Sequence, residues 1–201
     1  MVRAIASLFA ACSLATIQLA HADAKIGQPA PAFTLQDANG KMVSLANFKG
    51  KTVVLEWNNP ECPFVRKHYS GNMQRQQGAA SAENVVWLTI NSSAPGKQGH
   101  LDGAGARTLI TKTGAKQTDY LLDASGTVGR AYGAKTTPHM FVIDSTGVLR
   151  YDGAIDSIAS TDVSDIAKAT QYVPAALADL QAGRAVQVAT SQPYGCSVKY
   201  R

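Results

Sequence analysis

The chain has 201 residues, of which 45% are hydrophobic and 16% charged, with a formal net charge of +5. This is the composition of a globular protein and excludes a low-complexity or fibrous chain. The basic residues are scattered, with no run that interleaves aromatics, so nothing points to nucleic acid as a partner.

Residues 1–22 read as a secretory signal peptide: one positive charge at Arg3, an apolar region over 4–20, and the small-x-small site Ala20-His21-Ala22. A retained anchor is the rival, against an apolar stretch short for spanning a membrane. Lipoprotein processing at Cys12 is a second. Cleavage after Ala22 leaves residues 23–201 with a net charge of +4, a length that suits one domain with a C-terminal tail, periplasmic or secreted. It also leaves two cysteines, Cys62 and Cys196. In an oxidising compartment an even pair points to a disulfide; the plainer reading is two unrelated packed thiols.

A polar lead-in ends at Pro31. Phe33-Thr34-Leu35 and Met42-Val43-Ser44-Leu45 then flank Asn39-Gly40, the pattern of a β-hairpin. Residues 52–57 are mostly apolar and rich in strand formers, which suits a buried central strand. A helix is expected over 63–77 and a strand over 85–90, making a βαβ unit with parallel pairing.

Residues 91–116 read as a surface insertion at the rim of an active site, with a helix over 100–111 weakened by Gly103 and Gly105. Gly96-Lys97 lacks the frame of a phosphate loop. A short strand over 120–123 and a helical turn over 128–132 follow. Apolar strands over 136–144 and 148–151 flank Ser145-Thr146-Gly147 as an antiparallel hairpin. Val173, Leu177 and Leu180 stand at helical spacing and predict a helix over 171–181 that covers one sheet face. The tail, with Pro193, Tyr194, Gly195 and Cys196, is too rich in specific residues for a frayed end.

The chemistry centres on Asn59-Pro60-Glu61-Cys62-Pro63-Phe64-Val65-Arg66, at the junction of a strand and a helix. Proline is favoured at the first helical position, which makes Pro63 the helix start and Cys62 its N-cap. The unpaired amides of the first turn and the helix dipole favour an anion there. Cys62 is therefore a candidate thiolate, the reactive form of cysteine. Arg66 stands four residues on, on the same helix face, as a candidate stabiliser of that thiolate or else a simply solvated side chain.

This stretch resembles the active-site turn of the thioredoxin superfamily. The first cysteine of the Cys-x-x-Cys turn is present as Cys62, and Val65 stands in place of the second. The resemblance implies that Glu56, six residues before Cys62, handles protons for the thiol. Thr136-Thr137-Pro138 and the strand after it resemble the superfamily's cis-proline strand. That implies a docking groove framed by Thr137, Pro138 and Pro63. The peroxiredoxin signature Pro-x-x-x-Thr-x-x-Cys fits less well, with Leu55 and Asn59 at its Pro and Thr positions.

The mature chain is similar over about residues 25–200 to bacterial peroxiredoxin-like proteins of the redoxin group. The shared pattern is Cys62 to Val65, Ile90-Asn91-Ser92, Ala131 to Ala134 and the tail Gly195 to Lys199. The fold this implies is a thioredoxin-like α/β domain: a central mixed sheet flanked by helices, with an N-terminal β-hairpin extension. The activity it implies is thiol–disulfide exchange or peroxide reduction. Substrates would be protein or small-molecule thiols and disulfides, with an external thiol reductant and no cofactor. Cys196 is a candidate resolving cysteine, because it is the second thiol of the mature chain and the turn has none of its own; a static structural disulfide between Cys62 and Cys196 is the rival. Two other readings stand beside these. One is a non-catalytic interaction module. The other is a copper or zinc site built from Cys62, Cys196, His68 and His139, opposed by the cationic Arg66.

Overall fold

The computed structural model describes residues 24–201, so the expected signal peptide and its rivals lie outside the described residues. Strands β1 (Thr34–Asp37) and β2 (Met42–Ser44) form the N-terminal hairpin, with Gly40 at φ 87° in its turn. Strand β3 (Val53–Trp57) is buried at every position. It pairs in parallel with β4 (Val86–Asn91) and antiparallel with β7 (His139–Ile143). With β5 (Asp119–Leu122) and β8 (Leu149–Gly153) the sheet is mixed and ordered β2-β1-β5-β4-β3-β7-β8.

A central strand is covered on both faces, and its alternation divides the core in two. Leu55 and Trp57 pack with Leu88, Ile90, Phe141 and Ile143 on one face. Val54 packs with Trp87, Met140 and Val142 on the other. Helix α5 (Tyr172–Gln181) covers this second face through Val173, Ala176 and Leu177, as its spacing predicts.

The single helix expected over 63–77 is two helices, α1 (Pro63–His68) and α2 (Asn72–Ala82). Gly71 interrupts them at φ 129°, far outside helical backbone and open only to glycine. Helix α3 (Gly103–Thr113) starts at Asp102, whose carboxylate accepts the Gly105 amide at 2.7 Å. The segment before it is on the surface only in part: residues 95–98 are exposed, but residues 91–94 are buried, and Asn91 Nδ2 donates to the carbonyls of Asn58 and Gly99 at 3.2 and 2.9 Å. It packs behind the turn that leads to Cys62.

Helix α4 (Thr127–Ala131) is the expected single turn. The tail adds β9 (Cys196–Ser197), which pairs antiparallel with β6 (Thr136–Thr137) in a small second sheet. Among the described residues no helix is long and apolar enough to cross a membrane.

Candidate active site

Residues 58–62 leave the end of β3 in a turn closed by the Cys62 amide on the Asn59 carbonyl, at 3.0 Å. Pro63 opens α1, and Cys62 is its N-cap with extended backbone. The Cys62 side chain is fully buried. Its thiol donates to the Thr137 carbonyl at 3.1 Å, and the Cys196 amide donates to its sulfur at 3.4 Å. The peptide bond between Thr137 and Pro138 is cis.

The β6–β9 pairing sets Cys196 opposite Thr137, whose hydroxyl donates to the Cys196 carbonyl at 3.4 Å. Gly195 makes this approach possible: a Cβ there would stand 2.1 Å from the Thr137 carbonyl oxygen. Both cysteines are free thiols.

Their environments push their acidities apart. Burial works to raise the Cys62 pKa. The donors around the sulfur outweigh it and hold the pKa below the usual thiol value: the Cys196 thiol, the Val65 and Cys196 amides, and Thr137. The resting thiol makes no cap hydrogen bond, so the Val65 amide acts on the charged form. Cys196 is pushed up to about 11, by burial first and then by Cys62 beside it. Of the two thiols, Cys62 is therefore the more readily ionised and Cys196 the less.

Glu56 points to the α2 side of the sheet and is fully buried. Its carboxylate accepts five hydrogen bonds, from Asn58, Tyr69, Gln77, Trp87 and Thr89, at 2.8–3.3 Å. None of them comes from either cysteine. Burial raises its pKa, against the lowering effect of Trp87, Asn58, Tyr69 and Thr89. The Arg66 guanidinium is exposed and donates through Nε to the Pro60 carbonyl at 3.1 Å. It bridges the turn before Cys62 rather than reaching the sulfur.

The two histidines of the metal reading are engaged elsewhere. His139 Nε2 meets Asp152 Oδ1 at 2.7 Å, while its Nδ1 accepts the Lys135 amide. His68 is held between Asn72 and Tyr194. Among the described residues no three His, Cys, Asp or Glu side chains gather to hold a metal.

Sequence reasoning missed one group altogether. Lys67, His68 and Asp156 are buried together under α1, with Lys67 Nζ 3.7 Å and His68 Nε2 3.8 Å from Asp156 Oδ2. Tyr194 of the tail joins them by donating to Asp156. The faint signal was Tyr194 itself, a large amphipathic residue two places before a cysteine.

The model of the AhpC/TSA family matches residues 26–152, more than half of the chain. The chain belongs to the AhpC/TSA family. It is a redoxin of thioredoxin-like fold and an oxidoreductase by class. Cys62, Thr137 and Pro138 lie within the matched residues; Tyr194 and Cys196 lie beyond them.

The structure is similar to an uncharacterized conserved protein from Geobacillus kaustophilus, at 24% identity and a TM-score of 0.76, over 88% of this chain and 93% of that one. A hypothetical protein from Sinorhizobium meliloti is similar at 26% identity and a TM-score of 0.73, over 88% and 95%. The thioredoxin domain of a thiol-disulfide oxidoreductase from Bacteroides vulgatus shares the fold at 20% identity and a TM-score of 0.52, over 72% and 96%. No curated protein matches the sequence.

Proposed function

We propose that this redoxin is an exported thiol–disulfide oxidoreductase, a single domain over residues 23–201, with Cys62 as nucleophile and Cys196 as resolving thiol. One observation carries the reading: the Cys196 amide lies 3.4 Å from the Cys62 sulfur, so the second thiol stands beside the first. The lowered pKa of Cys62 and the raised one of Cys196 support the division of roles. The shared fold of the Bacteroides vulgatus oxidoreductase domain is consistent with it.

The Cys62 thiolate attacks one sulfur of a disulfide and forms a mixed disulfide; the other half leaves as a thiolate. Cys196 then gives up its proton and attacks the Cys62 sulfur. The remaining substrate half leaves as a thiol, and Cys62 and Cys196 are joined. The substrate is reduced to two thiols and the protein is oxidised by the same two electrons. An external thiol reductant restores it. Thr137, Pro138 and Pro63 frame the groove where the substrate sulfur arrives, a groove that Gly195 and Cys196 cover in this structure and leave for the substrate to enter. Glu56, buried on the α2 side of the sheet with a raised pKa and no direct hydrogen bond to either cysteine, takes the proton-handling role that the superfamily resemblance implies.

A second reading is favoured by the complete burial of Cys62, since a small peroxide needs less of an opening than a disulfide on a chain. The thiolate would take one oxygen, releasing water or an alcohol and leaving a sulfenic acid. Cys196 would condense with it to the same disulfide, releasing water.

The test is to add a small disulfide or a peroxide to reduced protein and analyse quenched samples by mass spectrometry. Cys196→Ser is expected to accumulate a mixed disulfide with the first oxidant, or a probe-reactive sulfenic acid with the second. The Cys62–Cys196 bond of the unmodified protein is expected to have a potential above about −300 mV, the range of working rather than structural bonds. Unchanged turnover in Cys62→Ser would overturn both readings. Sequencing the exported protein is expected to give Asp23 as its N-terminus.

A further inference from the structure

Tyr194 sits between the tail and the helix that carries Cys62. Its ring packs edge-on against Phe64, the second residue of α1, with centroids 5.6 Å apart at 64°. Its hydroxyl enters the buried Lys67–His68–Asp156 group. The direction of each hydrogen bond there follows from its neighbours. Asn72 Oδ1 accepts from Arg75 at 3.0 Å, so Asn72 Nδ2 is the donor, and it donates to His68 Nδ1 at 2.9 Å. The proton of neutral His68 is therefore on Nε2, which donates to the Tyr194 oxygen at 3.2 Å. The Tyr194 hydroxyl is left to donate to Asp156 Oδ1. Asp156 in turn faces Lys67. The chain Asn72, His68, Tyr194, Asp156 has one consistent direction, and Tyr194 is its link to the tail.

We propose that Tyr194 is a positioning residue for the resolving thiol: it clasps the tail to buried His68 and Asp156 and thereby sets Cys196 on Cys62. This rests on the reading of Cys196 as the resolving thiol. One residue, Gly195, separates the clasp from Cys196, and it lies directly on the Thr137 carbonyl with no side chain to spare. The far side of Cys196 is tied independently. The Val198 amide donates to Lys135 at 3.0 Å and the Tyr200 hydroxyl to the Ala134 carbonyl at 2.8 Å. On the near side Ser191 is anchored to Tyr151, Asp152 and Ala154, and Tyr194 fixes the stretch between that anchor and Cys196, where sulfur meets sulfur. Because Lys67, His68 and Phe64 all belong to α1, the clasp registers the tail against the helix whose N-cap is Cys62.

Two rates test this, each corrected to fully ionised Cys62. In a Cys196→Ser background, Tyr194→Phe is expected to speed iodoacetamide alkylation of Cys62 at least tenfold, and Tyr194→Ala further, since it also removes the ring contact. With Cys196 present, Tyr194→Phe is expected to slow closure of the Cys62–Cys196 bond from a preformed mixed disulfide at least tenfold. A merely structural tyrosine would lower the melting temperature and leave both rates of the folded protein alone, and that result would overturn the proposal. Failure of the underlying reading looks different: Cys196→Ser would leave turnover intact while the alkylation arm still reports the clasp. Should Tyr194→Phe lose the fold, Phe64→Leu weakens the same anchor from the helix side and is read by the same two rates.

Discussion

The amide of Cys196 donates to the sulfur of Cys62 at 3.4 Å, although 134 residues separate them. The contact is made by backbone, held by strand pairing to Thr137, and does not use the side chain at position 196. The amide and the thiol of one residue therefore act on Cys62 separately, and the two effects can be measured apart.

Cys196→Ala removes the thiol donor and keeps the amide, so the Cys62 pKa is expected to rise. Cys196→Ser replaces the donor and is expected to hold it closer to the original value. The pH dependence of Cys62 alkylation measures both. Profiles in both variants equal to that of the unmodified protein would show that the Cys196 side chain contributes nothing to the thiolate.

Gly195→Ala is expected to lift the tail from the site. The new Cβ would meet Thr137 and Pro138 backbone atoms, which cannot rotate away, at a φ of 131° that side chains avoid. Overpacking of this kind costs about 1–3 kcal/mol. Denaturant unfolding is expected to show that loss, and thiol trapping to show slower closure of the intramolecular disulfide. A variant with the stability and closure rate of the original protein would contradict the docked tail.

Burial, then the positive charge of Lys67, lower the His68 pKa to about 4, against the opposing pull of Asp156. The groups that face it are Asp156, Lys67, Asn72 and Tyr194. The unfolded chain then binds a proton near pH 6.5 that the folded protein refuses until about pH 4. Stability from this group is fully present above that window and is withdrawn as pH falls through it, by ~3 kcal/mol at most. Urea unfolding between pH 7 and 4 is expected to show the decline. His68→Gln, which has no proton to gain there, is expected to flatten it.

Glu56→Gln would turn one of two acceptor oxygens into a donor facing donors. Five hydrogen bonds converge on that carboxylate, so at least one buried donor would be stranded, at about 1–3 kcal/mol each. The expected result is a lower melting temperature at neutral pH. An unchanged one would mean that no buried donor is left stranded.

Much of this protein was readable along the chain, because the signals are local. Alternating and continuous apolar runs marked the hairpin and β3, and Cys62 before Pro63 marked a helix start with a thiol at its cap. Thr137-Pro138 and the likeness to the redoxin group were legible as motifs. Gly71 was visible too, but a glycine in a helical pattern does not announce its φ, and only packing of α1 and α2 on the sheet decided the break. Asn91 looked like a polar loop residue until the turn before Cys62 supplied carbonyls for its amide. The same holds for Lys67, His68, Asp156 and Tyr194. They lie at three distant places in the chain, and a buried charge or hydroxyl acquires its partner only when the fold brings it one. The sequence determined that Cys62 could be a thiolate. That Cys196 and not an outside donor shares its proton balance was decided by tertiary structure, through a strand pairing between two-residue segments too short to leave a pattern of their own.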